Sequence, residues 1–95
     1  MILEVALIDV RPGTEADFVA AYRTVRQAVV GSAGCRSLRM THGIETPTRF
    51  VLLVEWDSIE FHEQFRTSEG FGEWRGGIGP YFANPPRVEH FTDLD

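Results

Sequence analysis

The chain has 95 residues, 43% hydrophobic, 12% aromatic and 24% charged, with a formal charge of −5. This length accommodates one core, residues 1–95 read as a single domain, and the composition excludes extended disorder. All nine basic residues are Arg, so a lysine Schiff base is excluded, and the acidic balance without a basic stripe argues against a nucleic-acid partner.

Residues 2–10, ILEVALIDV, read as a strand with Ile2, Ala6, Ile8 and Val10 on one face and Leu3, Val5 and Leu7 on the other. Both faces are apolar and both call for cover. The run is too short for a membrane span, Glu4 interrupts it and no basic stretch precedes it, so no membrane association and a soluble, cytoplasmic protein are expected. Pro12-Gly13 ends the strand, and Thr14 is placed to cap a helix, with Asp17 three residues on. Phe18, Tyr22, Val25 and Val29 form an apolar stripe that predicts a helix over 15–30, stopped by Gly31 and Gly34.

Residues 35–43 are a second strand, with Leu38 and Met40 opposite Arg39 and Thr41. A turn at Glu45-Thr46-Pro47-Thr48 leads to a third, residues 49–56. Its two faces carry Phe50, Leu52, Val54 and Trp56, and Val51 and Leu53. Asp57 with Glu60 matches a capping box for a helix whose inner side carries Phe61, His62 and Phe65. Ser68 caps a further turn bearing Phe71, Trp74 and Ile78. Gly76, Gly77 and Gly79 loosen this stretch, and Pro80 opens a short helical turn at Tyr81-Phe82 that is placed to act as a lid. Pro85-Pro86 precedes a last strand at 87–93, and Leu94-Asp95 should fray.

The order β-α-β-β-α-β predicts an α+β, ferredoxin-like fold: a four-stranded antiparallel sheet with helices on one face. Leu3, Val5, Leu7, Val51 and Leu53 then occupy the open face, and an apolar patch of that kind predicts a homodimer. A lone chain of this size buries only roughly 60–65% of its unfolded surface, which adds to the advantage of association.

Further features are spread over nearly the whole chain: Arg11-Pro12-Gly13, then Glu15 and Phe18; Gly34-Cys35; the run from Pro47 to Leu52; and Glu55-Trp56-Asp57-Ser58 followed by His62, Ser68 and Phe71. In these the chain resembles the antibiotic biosynthesis monooxygenase domains, which are dimeric α/β barrel proteins. The resemblance implies insertion of oxygen into an electron-rich aromatic, a quinol or polyphenol, with no metal or flavin cofactor. Deprotonating such a compound gives an anion that reduces oxygen directly, so the protein supplies an apolar pocket, a proton acceptor and donors for the anionic oxygen. Heme-degrading relatives share the fold and are characterised by an Asn on the first strand, a Trp on the second helix and a downstream His. An ungapped alignment puts Ala6, Gln64 and Arg75 at those places, which argues against heme.

His62 is the first candidate for a catalytic base, since an imidazole titrates near neutral pH; a half-buried structural His is the alternative. His62-Glu63 is not a zinc motif, because Arg66 stands where a second His is required, and no metal is expected. Trp74, Tyr81, Phe65 and Phe82 are candidate substrate-binding residues, an aromatic wall for a flat ring system, against plain core packing. Arg66 and Arg75 could hold a phenolate or carboxylate, although surface ion pairs with nearby Glu residues are the simpler expectation. Tyr22 reads as core, His42 and His90 as solvated or interface residues, and Cys35, the one cysteine, as a small buried side chain. Two functions remain open: a cofactor-independent monooxygenase acting on a small aromatic, and a non-catalytic dimer that binds a small hydrophobic molecule.

Overall fold

The computed structural model describes residues 1–95. The elements run β1 (Ile2–Asp9), α1 (Glu15–Val30), β2 (Cys35–His42), β3 (Arg49–Trp56), α2 (Ile59–Arg66), α3 (Glu69–Ile78), a 3-10 turn (Gly79–Tyr81) and β4 (Arg87–Phe91). The sheet order is β2-β3-β1-β4 and every pairing is antiparallel, which is the expected ferredoxin-like arrangement.

Register decides what faces what. β1 pairs with β3 through Ile2↔Trp56, Glu4↔Val54, Ala6↔Leu52 and Ile8↔Phe50, and with β4 through Glu4↔His90 and Ala6↔Val88. Period-two alternation sends these residues toward the helices. There Ala6, Ile8, Phe50, Leu52, Val54 and Trp56 join Phe18, Tyr22 and Val29 of α1, Phe65 of α2 and Trp74 and Ile78 of α3 in one core. Phe18 packs on Phe50 with ring centroids 4.6 Å apart, and Phe65 on Trp56 at 5.7 Å. The opposite face carries Leu3, Val5, Leu7, Val51 and Leu53, each only half-buried, with the Arg49–Asp9 ion pair (2.8 Å) at its corner.

The helix ends depart from the sequence reading. The Thr14 hydroxyl donates to the Arg11 carbonyl (2.6 Å) instead of accepting from the first turn. The box expected from Asp57 and Glu60 does not form: Ser58 occupies the cap position, and Asp57 pairs with Arg36. Arg36 is free to reach it because a β-bulge between Cys35 and Ser37 lifts it out of the ladder. The Ser68 cap does form, its hydroxyl accepting from the Phe71 amide, and it starts a ten-residue helix rather than a single turn.

Two glycines set close approaches. Gly34 has φ +79°, and a Cβ there would stand 2.2 Å from Cγ of Phe61. Phe61 therefore packs on the loop before β2, half-buried, while His62 and Phe65 turn inward. Gly77 allows α3 to lie against Val25 of α1, where a Cβ would stand 2.6 Å from Cγ1.

The segment after α3, expected as a lid, is stitched to the end of β1. The Arg11 amide donates to the Tyr81 carbonyl (2.9 Å), the Ala83 amide donates to the Asp9 carbonyl (2.8 Å), and Val10 bridges Phe82. The Arg11 guanidinium also bonds the Pro80 carbonyl. No helix is long and apolar enough to cross a membrane.

Candidate functional site

A cavity of about 400 Å³ opens between the helices and the β1–β4 half of the sheet. That is within the usual range for a small-ligand site. Most of its wall is apolar: Ala6, Ile8, Leu52 and Val54 form the floor, Phe65, Phe71, Trp74 and Ile78 come from α2 and α3, and Phe82, Pro85, Pro86 and Val88 close one side. The polar exceptions are Glu4, His62, Arg66 and Arg75.

Glu4 is 6% exposed and His62 5%, although charged and titratable side chains are rarely buried without partners. Here the partners are present. The Trp56 indole N–H donates to Glu4 Oε1 at 3.0 Å, and His62 Nε2 lies 3.3 Å from the same oxygen. His62 Nδ1 is 2.7 Å from His90 Nε2. The imidazole of His62 also stacks on Trp56, with centroids 5.2 Å apart and planes 15° apart. The four residues thus form a contiguous polar set running from the core to the edge strand, hydrogen-bonded from Trp56 to Glu4 and between His62 and His90 and in contact between His62 and Glu4, with Glu4 and His90 side by side in the β1–β4 register.

Burial raises the Glu4 pKa above the usual carboxylate value, while the Trp56 bond and the Arg66 charge oppose that rise. The same physics works the other way on a base. Burial, followed by the charges of His90 and Arg66, lowers His62 to about 4. That lowering favours the uncharged imidazole at neutral pH, so the 3.3 Å approach to Glu4 is a polar contact rather than an ion pair.

Of the residues singled out in the sequence, His62, Phe65, Trp74 and Phe82 line the cavity. Tyr81 does not: it packs part-buried against the core from the stitched turn. Arg66 and Arg75 are not engaged in ion pairs; both line the cavity, and Arg75 lies over the Phe82 ring at 5.3 Å. Tyr22 is core, edge-on to Trp74, and His42 stacks on Phe50. Cys35 is part-buried, which raises its thiol pKa. No group of three or more His, Cys, Asp or Glu side chains is arranged to hold a metal ion.

Glu4 and His90 escaped the sequence reading. Glu4 registered only as an interruption of an apolar run, yet its even position puts it on the helix-facing side with Ala6 and Ile8. A lone carboxylate on the buried parity of a strand is the signal that finds it. His90 has the matching parity on β4, but only the register joins two residues so distant in sequence.

A family model described as antibiotic biosynthesis monooxygenase matches residues 1–77. The chain belongs to the antibiotic biosynthesis monooxygenase family. It is 32% identical over 95 residues to the uncharacterized protein YczJ of Bacillus subtilis, covering 99% of this chain and 100% of that one. It superposes with a TM-score of 0.94, at 39% identity, on the structure of a candidate antibiotic biosynthesis monooxygenase from Bordetella bronchiseptica, covering 98% of this chain and 96% of the other. A second candidate monooxygenase of the family, from Nitrosomonas europaea, shares the fold with a TM-score of 0.86 at 18% identity, each chain covered over 100% of its length. Family membership and these neighbours together place the chain on a monooxygenase-type or small-molecule-binding scaffold.

Proposed function

We propose that the protein is a cofactor-independent monooxygenase that oxidises a small quinol- or polyphenol-like aromatic with molecular oxygen. The observation that carries this reading is the contiguous polar set of Glu4 and His62 in the wall of an otherwise apolar cavity, with His90 bonded to His62 behind them. An apolar, aromatic-walled site favours a flat ring system, and a buried acid–base set within it can take a proton that water would otherwise hold. In this reading His62 and its partners carry the acid–base function, and Phe65, Trp74 and Phe82 bind the rings. Tyr81 supports that wall from behind, and Arg66 and Arg75 stabilise the anion.

The chemistry balances without a further reductant. In an anthrone, or in the keto tautomer of a phenol, a ring carbon bearing two hydrogens loses a proton, and the carbanion delivers its electron pair to O2. The resulting hydroperoxide then loses the second hydrogen as a proton while the O–O bond breaks, leaving a carbonyl and one water. One O2 is consumed per substrate. A panel of hydroxylated anthrones and naphthalene diols in an oxygen electrode should therefore show uptake in that ratio, reduced by His62→Ala. An unchanged rate in His62→Ala would remove His62 from the chemistry.

The second reading is a non-catalytic dimer that binds a hydrophobic molecule. One observation favours it: both ring nitrogens of His62 already have protein partners. Tight binding of one compound without oxygen uptake across the panel would select it.

In either case the protein acts as a homodimer in the cytoplasm, joined through the open sheet face. Support comes from Leu3, Val5, Leu7, Val51 and Leu53, half-buried in a single chain, and from the family, whose members are commonly dimeric. Burying side chains of this kind contributes up to roughly 1.5–3 kcal/mol each.

A further inference from the structure

The geometry points to Glu4 as the group that takes the substrate's proton, at its cavity-facing Oε2, with His62 and His90 as positioning residues that hold it. This deepens the proposed monooxygenase reading and rests on it for the identity of the substrate.

Donor and acceptor capacity sets the direction of every bond in the set. Trp56 has only a donor to offer, and it is committed to Glu4 Oε1. His62 Nε2 lies 3.3 Å from the same oxygen. A carboxylate accepts, so Nε2 carries the hydrogen. A neutral imidazole then has only an acceptor left at Nδ1, and the 2.7 Å contact there makes His90 Nε2 the donor. His62 is thus bonded to His90 through Nδ1, and its Nε2 faces the Glu4 carboxylate at 3.3 Å.

The second oxygen of Glu4 is different. Oε2 makes no hydrogen bond within the fold, and it is not among sealed polar atoms lacking a partner, so it keeps contact with the cavity that Glu4 lines. A proton that arrives at Oε2 disturbs none of the three contacts that hold Oε1 and the imidazoles. A proton arriving at His62 instead places a charge on an imidazole that burial and the neighbouring charges of His90 and Arg66 disfavour. The step is a single transfer: the substrate O–H or C–H bond breaks, its electron pair stays on the substrate, and an O–H bond forms at Oε2. Arg66 and Arg75, which line the same cavity and have no carboxylate partners, supply positive charge for the anion left behind. The titratable and charged groups around Glu4 are His62 and Arg66 from α2, Arg75 from α3, His90 from β4 and Cys35 from β2.

The test uses the full chain and 4-nitrophenol, whose anion absorbs visibly. Bound to the wild type at a pH where the free phenol is mostly neutral, it should absorb as phenolate. A carboxylic-acid C=O band should appear in the infrared difference spectrum. Glu4→Gln should lose both signals while binding the phenol within threefold, and Glu4→Asp should shift the infrared band. With an oxidisable quinol, Glu4→Gln should lower kcat by about 100-fold or more. His62→Phe should move the midpoint of phenolate formation to higher pH, because Glu4 loses a donor to its charged form. His62→Gln, whose amide can still donate, should restore most of that shift.

Phenolate formation in the wild type with no carboxyl band, or equal phenolate formation in Glu4→Gln, would overturn the assignment. So would the absence of phenolate in the wild type, whatever its oxygen uptake and whether or not the variants fold. Phenolate and carboxyl signals without oxygen uptake from any quinol would leave Glu4 as the acceptor and refute the monooxygenase reading alone.

Discussion

Acidification should destabilise this fold through one residue, His62, well above the pH at which surface carboxylates titrate. Its folded pKa is lowered from 6.5 to about 4, chiefly by burial. A depressed pKa contributes stability that is present above the unfolded value and is lost as pH falls toward the folded one. Between pH 6.5 and 4 the unfolded chain binds a proton that the folded chain refuses, at about 1.4 kcal/mol per pH unit and about 3 kcal/mol in all. Glu4 acts with the opposite sign. Its pKa is raised above 4.5, so its contribution is present at low pH and is lost as pH rises through its folded value. The two offset each other in part over the mildly acidic range. Urea denaturation at half-unit steps from pH 8 to 4 should show a shallow acid slope in the wild type. That slope should steepen in Glu4→Gln, where the opposing group is gone, and reverse in His62→Gln, where only the opposite contribution of Glu4 remains. Asp9, lowered from 3.8 by its bond to Arg49, enters only below that window. Identical slopes in the wild type and His62→Gln would show that the imidazole is not held neutral by the fold.

Other substitutions probe the scaffold. Gly34→Ala combines a positive φ with an overlap on Phe61 and should cost about 2–3 kcal/mol, a fall of roughly 10–20 °C in Tm by calorimetry, partly recovered by adding Phe61→Ala. Leu53→Asp places a charge in the open sheet face and should convert the proposed dimer to a monomer by sedimentation equilibrium at micromolar concentration. Trp56→Phe keeps the ring but removes the donor to Glu4, and should cost about 2 kcal/mol in urea. An unchanged denaturation midpoint would show that the indole bond contributes nothing.

The fold was legible because its signals are periodic. Alternation in β1 and β3 and the Phe18-Tyr22-Val29 stripe each report a face, and faces suffice to order layers. Half of the site was legible for the same reason: His62, Phe65 and Trp74 share the inward sides of α2 and α3. The other half depends on register and loop path, which carry no local signal. Glu4 acquires meaning only when His90 is laid beside it, and Tyr81 turns from the cavity because hydrogen bonds to Asp9 and Arg11 set the direction of its turn. Thr14 holds the expected N-cap position, but its hydroxyl bonds the Arg11 carbonyl, and Asp57 gives up the expected cap of α2 for the Arg36 guanidinium. Arg66 and Arg75 are exposed, as expected of surface charges, and helical periodicity does not show that a cavity opens beside them.

The stitching of residues 79–83 to the end of β1 bears on how a ligand enters. Phe82, Pro85 and Pro86 form one side of the cavity, and that side is anchored by backbone hydrogen bonds and by prolines with fixed φ. A wall built this way is in place before the ligand arrives, so little ordering entropy is lost on binding. Under the proposed function, selection among aromatics then rests on shape at an open doorway rather than on a closing motion. Stopped-flow mixing should show a single association phase whose rate rises linearly with ligand concentration, without the plateau that a slow rearrangement imposes.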